Sequence, residues 1–173
     1  MNRRAFGLGA AATLSFAAGC SGAPSRFQSY HGPEITSVVI NKGARKMYLL
    51  HKEEVQREYE VDLGFAPVGH KTVEGDGKTP EGTYYINRRN PNSSFHLSVG
   101  ISYPNPQDVA QATALGKRPG GDIFIHGMPN NPKDRRRAAR VSDWTAGCIA
   151  VTNEEIEEIF AMVGEGTVIT LRA

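Results

Sequence analysis

Ile123-Phe124-Ile125-His126-Gly127 and, 22 positions after its histidine, Cys148 within Asp143-Trp144-Thr145-Ala146-Gly147-Cys148-Ile149-Ala150-Val151 decide how this chain is read. Residues 123–125 form a short apolar run rich in β-branched side chains, the mark of a buried strand. The strand ends in a histidine followed by glycine, a place from which a side chain can project into a cleft. Cys148 follows a glycine and precedes an apolar run. Directly after it, Thr152-Asn153-Glu154-Glu155 is a capping box that opens a helix. Ile156, Ile159, Phe160 and Val163 then recur at helical spacing until Gly164 stops them.

On either side of these stretches the period is two more often than 3.6. Ser37-Val38-Val39-Ile40 reads as a strand, Asn41-Lys42-Gly43-Ala44 as a turn, and Met47-Tyr48-Leu49-Leu50 as a second strand. Val55, Tyr59, Val61 and Leu63 make residues 54–63 a third strand with one wet face. Residues 64–77 are a glycine-rich, charged loop. In Thr79-Pro80-Glu81-Gly82-Thr83-Tyr84, proline fixes φ, glycine permits an unusual turn, and a strand follows. Phe95, Leu97, Val99 and Ile101 alternate as another strand, and residues 167–171 close the chain. Asn105-Pro106 caps a helix that Gly116 ends, and Asn131-Pro132 opens a strongly basic one through Arg140. Six or seven strands with three short helices predict a mainly β fold, a sandwich or barrel with antiparallel pairing rather than a doubly wound sheet.

The 173 residues are 39% hydrophobic and 22% charged, which suits one globular domain. Two cysteines exclude a disulfide scaffold and a cysteine-only zinc site. Residues 1–19 have the parts of an export signal: Arg3 and Arg4, an uncharged apolar run, and small residues at its end. Arg3-Arg4-Ala5-Phe6 resembles a twin-arginine signal. Ala17-Ala18-Gly19-Cys20 resembles a lipobox, whose cysteine is acylated; plain secretion with Cys20 incidental is the alternative. Residues 20–34 read as a flexible tether, and residues 35–173 as the folded domain. Removing the signal takes Lys+Arg from 20 to 18 against 18 acidic residues, so the mature chain is formally neutral. Nothing in that balance argues for nucleic acid, and the expected membrane contact is the lipid anchor. The expected location is exported and periplasmic, and the oligomeric state is left open.

The chemistry centres on Cys148 and His126. A thiolate is the nucleophile, and a free thiol ionises only near ~8.5, so an attacking cysteine needs a base or exposed backbone N–H groups beside it. Gly147 lets the chain turn so that amides face an oxyanion. A buried structural cysteine is the alternative. His96 is either an auxiliary cleft residue or a packing residue, and Trp144 either walls the site or belongs to the core. A zinc site lacks convincing third and fourth ligands, so no metal is expected.

Three pieces in order, Thr79-Pro80-Glu81-Gly82-Thr83-Tyr84, Ile125-His126-Gly127 and Thr145-Ala146-Gly147-Cys148-Ile149, resemble the motifs of the L,D-transpeptidase catalytic domain family, the YkuD-type fold of bacterial cell wall enzymes. The resemblance runs from about Ile35 to Arg172. It implies a β-sandwich with a lid loop between histidine and cysteine. It makes Cys148 the acyl-accepting nucleophile and His126 the general base. Gly147 would help form the oxyanion hole, and Thr145 would support the loop or His126, beside Gly127. The implied donor is a peptidoglycan stem tetrapeptide that loses its terminal D-alanine to a Cys148 thioester. An amine acceptor then takes the acyl group, and no metal or organic cofactor is involved. A carboxypeptidase or link hydrolase would use the same pair, and a non-catalytic wall-binding lipoprotein would not. Ala146 stands where many members carry a second histidine, and Ala150 where arginine is frequent. Arg140 is then a candidate substrate-carboxylate clamp, with Arg88, Arg89, Arg118, Lys133, Arg135, Arg136 and Arg137 as alternatives, most of them favoured as solvated charges.

Overall fold

The computed structural model describes residues 25–173; residues 1–19 and Cys20 lie outside them. Among the described residues, eight strands form one sheet: β1 (Ser37–Asn41), β2 (Lys46–His51), β3 (Glu54–Glu60), β4 (Gly82–Asn90), β5 (Ser98–Ile101), β6 (Phe124–His126), β7 (Ile149–Ala150) and β8 (Val168–Arg172). Three short helices interrupt them: α1 (Pro106–Ala114), α2 (Pro132–Ala138) and α3 (Asn153–Met162). The chain is therefore mainly β with short helices.

The strands lie in the order β3-β2-β1-β8-β4-β5-β6-β7. Strand β4 joins the two halves. Its first residues pair with β8 and its later ones with β5, and a bulge between Ile86 and Arg88 interrupts the β5 pairing. Beyond β3 the chain bridges to the far edge, Asp62 with Ala150 and Gly64 with Thr145, so the two ends of the sheet meet. The result is a half-barrel around one core that draws Val38 and Ile40 from β1, Ile125 from β6 and Ile149 from β7. Period-two alternation is plain in β1 and β8, whereas all four residues of β5 are buried because α3 packs over β5 and β6.

Two pairings are parallel, β1 with β8 and β6 with β7, where antiparallel pairing was expected. Parallel neighbours need a long crossover. Residues 127–148 supply one, which carries α2. The expected lid segment thus holds a helix and then the bridge at Thr145 to Gly64.

Lys42, in the turn read from the sequence, is buried at 2% exposure. Its ammonium donates to Gly69 O at 2.7 Å and Thr79 O at 2.9 Å, and pairs with Glu81 Oε1 at 2.8 Å. Three acceptors offset the loss of water around the charge. They also tie the loop before β4 to β1. The hydroxyl of Thr79 accepts from Gly64 N–H at 3.0 Å, which anchors this loop behind the segment that carries Cys148.

Candidate active site

Strand β6 delivers His126, and the start of β7 delivers Cys148. Their parallel register sets Ile125 beside Ile149 and His126 beside Ala150. Ile125 and Ile149 face the core, so His126 and Cys148 share the opposite face, one pair of residues apart along adjacent strands. Both line a cavity of about 260 Å³ together with Ser93, Phe95, Ser98 and Phe124. Cys148 also borders a second cavity of about 550 Å³ that includes Arg88, Asp122, Ala146 and Arg118. The thiol therefore stands where two cavities adjoin.

His126 is 3% exposed. Its ring lies between Phe95, with centroids 4.4 Å apart, and Trp144, at 5.6 Å. Nδ1 is 2.7 Å from Gly127 O. A carbonyl only accepts, so Nδ1 carries the hydrogen and Nε2 keeps its lone pair. Burial pushes the imidazole down to about 4, against a smaller opposing effect of the Gly127 carbonyl. The Cys148 Sγ–H donates to Asp122 O at 3.5 Å, and burial pushes the thiol up. Both groups are neutral at rest, a thiol beside an unprotonated imidazole.

The turn into Cys148 is held from within. Gly147 N–H donates to Thr145 Oγ1 at 3.1 Å, and Thr145 Oγ1–H donates to Cys148 O at 2.7 Å. Thr145 thus supports the loop and not His126. The Gly147 N–H, expected at an oxyanion, is already committed to Thr145; the Cys148 N–H has no acceptor among the described residues. Gly147 has φ +134°, and a Cβ there would stand 2.7 Å from Lys78 O. Gly147→Ala is expected to cost about 2 kcal/mol, read from the urea midpoint, and to displace the thiol. A midpoint within error of the parent would show that the turn tolerates a side chain. Gly127 serves close approach: a Cβ would meet Asn153 Oδ1 at 2.8 Å and Ile156 Cγ2 at 2.9 Å, so glycine lets the start of α3 press against the carbonyl that orients His126.

Other expected site residues lie elsewhere. His96 sits before β5, not in a strand, and its Nε2 pairs with Glu157 Oε1 on α3 at 2.6 Å. It borders neither cavity at Cys148. Arg140 is exposed after α2 and borders neither cavity at Cys148. Trp144 is half-buried and walls His126, with Nε1 buried and unpartnered among the described residues. Ala150 lies under the Asp62 bridge and lines a separate cavity with Arg45 and Asp143. The residues that sequence reasoning missed are Phe95, which stacks on His126, and Asp122, whose carbonyl holds the thiol. The Gly120-Gly121-Asp122 turn just before β6 was the available signal for Asp122. Among the described residues, no three His, Cys, Asp or Glu side chains gather as a metal cluster.

The family model of the YkuD L,D-transpeptidase catalytic domain matches residues 35–171. Over 107 residues the chain is 32% identical to YafK of Escherichia coli (strain K12), covering 61% of this chain and 36% of that protein. Among solved structures it is similar to the helical cell shape determining protein Pgp2 (K307A mutant) of Campylobacter jejuni, with TM-score 0.62, 28% identity, and 83% of this chain over 48% of that one. Bd1075 of Bdellovibrio bacteriovorus gives TM-score 0.52 and 26% identity, with 80% of this chain over 48% of that one. The chain thus spans about half the length of these structures and about a third of the curated relative.

Proposed function

Because the chain belongs to the family of YkuD-type L,D-transpeptidase catalytic domains, we propose that it is a cysteine acyltransferase acting on peptidoglycan stem peptides, with Cys148 as nucleophile and His126 as general base. The observation that carries this reading is the free Nε2 of a neutral His126 in the same cavity as a neutral thiol. Nε2 takes the thiol proton as sulfur attacks the scissile carbonyl. The tetrahedral oxyanion receives the Cys148 N–H. His126 then gives the proton to the leaving amine of the terminal D-alanine, and a thioester remains on Cys148. An acceptor amine attacks that thioester, loses its proton to His126, and restores the thiol. The two cavities meeting at Cys148 suit a donor on one side and an acceptor on the other. Export by residues 1–19 and lipid attachment at Cys20 belong to the same proposal, since the substrate lies outside the cytoplasmic membrane.

Incubation with purified tetrapeptide muropeptides, read by mass spectrometry, tests the reading. Cross-linked dimers and a transient Cys148 adduct are expected. Monomers shortened by D-alanine would instead mark water as the acceptor. The absence of both product and adduct would overturn the acyltransferase reading.

A further inference from the structure

Resting on that reading, we propose that Arg88 is the residue that recognises the terminal carboxylate of the donor peptide. Arg88 on β4 pairs with Gly100 on β5, and Gly100 pairs with Phe124 on β6. Phe124 in turn lies beside Cys148, one step before the Ile125–Ile149 pair. One row across the sheet therefore reads Arg88, Gly100, Phe124, Cys148. The bulge between Ile86 and Arg88 brings the arginine into this row.

Gly100 makes the row passable. A Cβ there would stand 2.6 Å from Arg88 Cγ, 2.7 Å from Arg88 Nε and 3.1 Å from Phe124 Cε1. The arginine stem lies in the slot left by the missing side chain, a close approach that glycine in a strand permits. The guanidinium continues over the Phe124 ring, 4.4 Å from its centroid, and Nη2 donates to Asp122 Oδ1 at 2.7 Å. The cation is thus aimed along the sheet toward the thiol and held by a ring and a carboxylate.

Arg88, Asp122 and Cys148 border the same 550 Å³ cavity. Its other cations are placed differently. Lys71 is buried against Asp76 at 2.9 Å, and Arg118 is 84% exposed at 3.5 Å from Glu74. The Asp122 side chain is 83% exposed, so it swings into water at little cost and leaves the guanidinium free for another carboxylate. The reach fits. Adjacent strands lie about 4.8 Å apart. In the acylating peptide, the leaving residue carries its carboxylate three bonds beyond the scissile carbon. Asp122 occupies the clamp at rest, and the peptide terminus replaces it.

The test uses the full chain with Cys148→Ala, which binds without turnover. Isothermal titration compares a stem tetrapeptide ending in a free carboxylate with the same peptide ending in a carboxamide. The acid is expected to bind about tenfold more tightly, as one charge-assisted guanidinium contact allows. Arg88→Gln in that background should remove the preference by weakening the acid alone, and the amide serves as internal control. Gly100→Ala keeps the guanidinium but fills its slot, and it should act in the same direction. Equal binding of acid and amide by the Arg88 chain, or a preference that survives Arg88→Gln, overturns the clamp and leaves the acyltransferase reading standing. Failure to bind either peptide overturns both.

Discussion

His126→Ala is expected to lower the rate of Cys148 acylation about 1,000-fold at pH 7, within the range of a positioned general base. Burial raises the thiol, so few thiolates form near neutrality without an acceptor for the proton. In the proposed mechanism, Nε2 is that acceptor. Because burial also holds the imidazole down to about 4, it stays unprotonated across the neutral range. The kcat/KM profile of the parent should therefore be flat from neutrality downward, with its acid limb near pH 4 rather than near the ordinary histidine value of about 6.5. The variant should behave differently, with a rate rising about tenfold per pH unit as hydroxide makes the thiolate. A variant within tenfold of the parent at pH 7, or a parental limb near 6.5, would remove His126 from the role.

The same burial makes His126 a determinant of acid stability. The folded protein holds the ring neutral down to about pH 4, whereas the unfolded chain protonates it near 6.5. Between those values the unfolded state binds more protons, so folding stability falls as pH falls. The contribution is fully present above 6.5 and is lost through pH 4. The shift corresponds to about 3 kcal/mol. His126→Gln removes the titrating ring. The difference in unfolding free energy between parent and variant, from urea melts at pH 7 and pH 4, should therefore change by about that amount. Asp76, pushed up by burial but held down to about 2 overall by backbone N–H donors and Lys71, loses its contribution only below the ordinary carboxylate range, and in both proteins alike. Parallel stability curves for the two proteins across this window would contradict the burial of a neutral imidazole.

Much of this was legible along the chain. The caps form: Asn105 before Pro106 opens α1, and the capping box of Thr152 with Glu155 opens α3. Alternation at residues 37–40 and 47–50 placed β1 and β2, because side chains on a strand face the core every second residue. Cys148 and His126 stood out because a strand end and a glycine turn are local features. The surroundings of Lys42, His96 and Arg140 were not legible for one shared reason. The environment of a charged side chain depends on which distant acceptors arrive beside it, and no local spacing reports that. Glu157 captured His96, three oxygens captured Lys42, and nothing at the cavities drew in Arg140. The Gly147 N–H was misassigned on a smaller scale, because Thr145 reaches it only once the turn has closed.

The strand and helix segments, the mainly β class and the two candidate residues His126 and Cys148 could be read along the chain, since periodicity, caps and glycine turns act within a few residues. Tertiary structure alone decided the parallel pairing of β6 and β7, the neutral state of His126 between Phe95 and Trp144, and the row from Arg88 across Gly100 to Cys148. Those depend on strand register and burial, which arise only when segments far apart in the chain pack around one core.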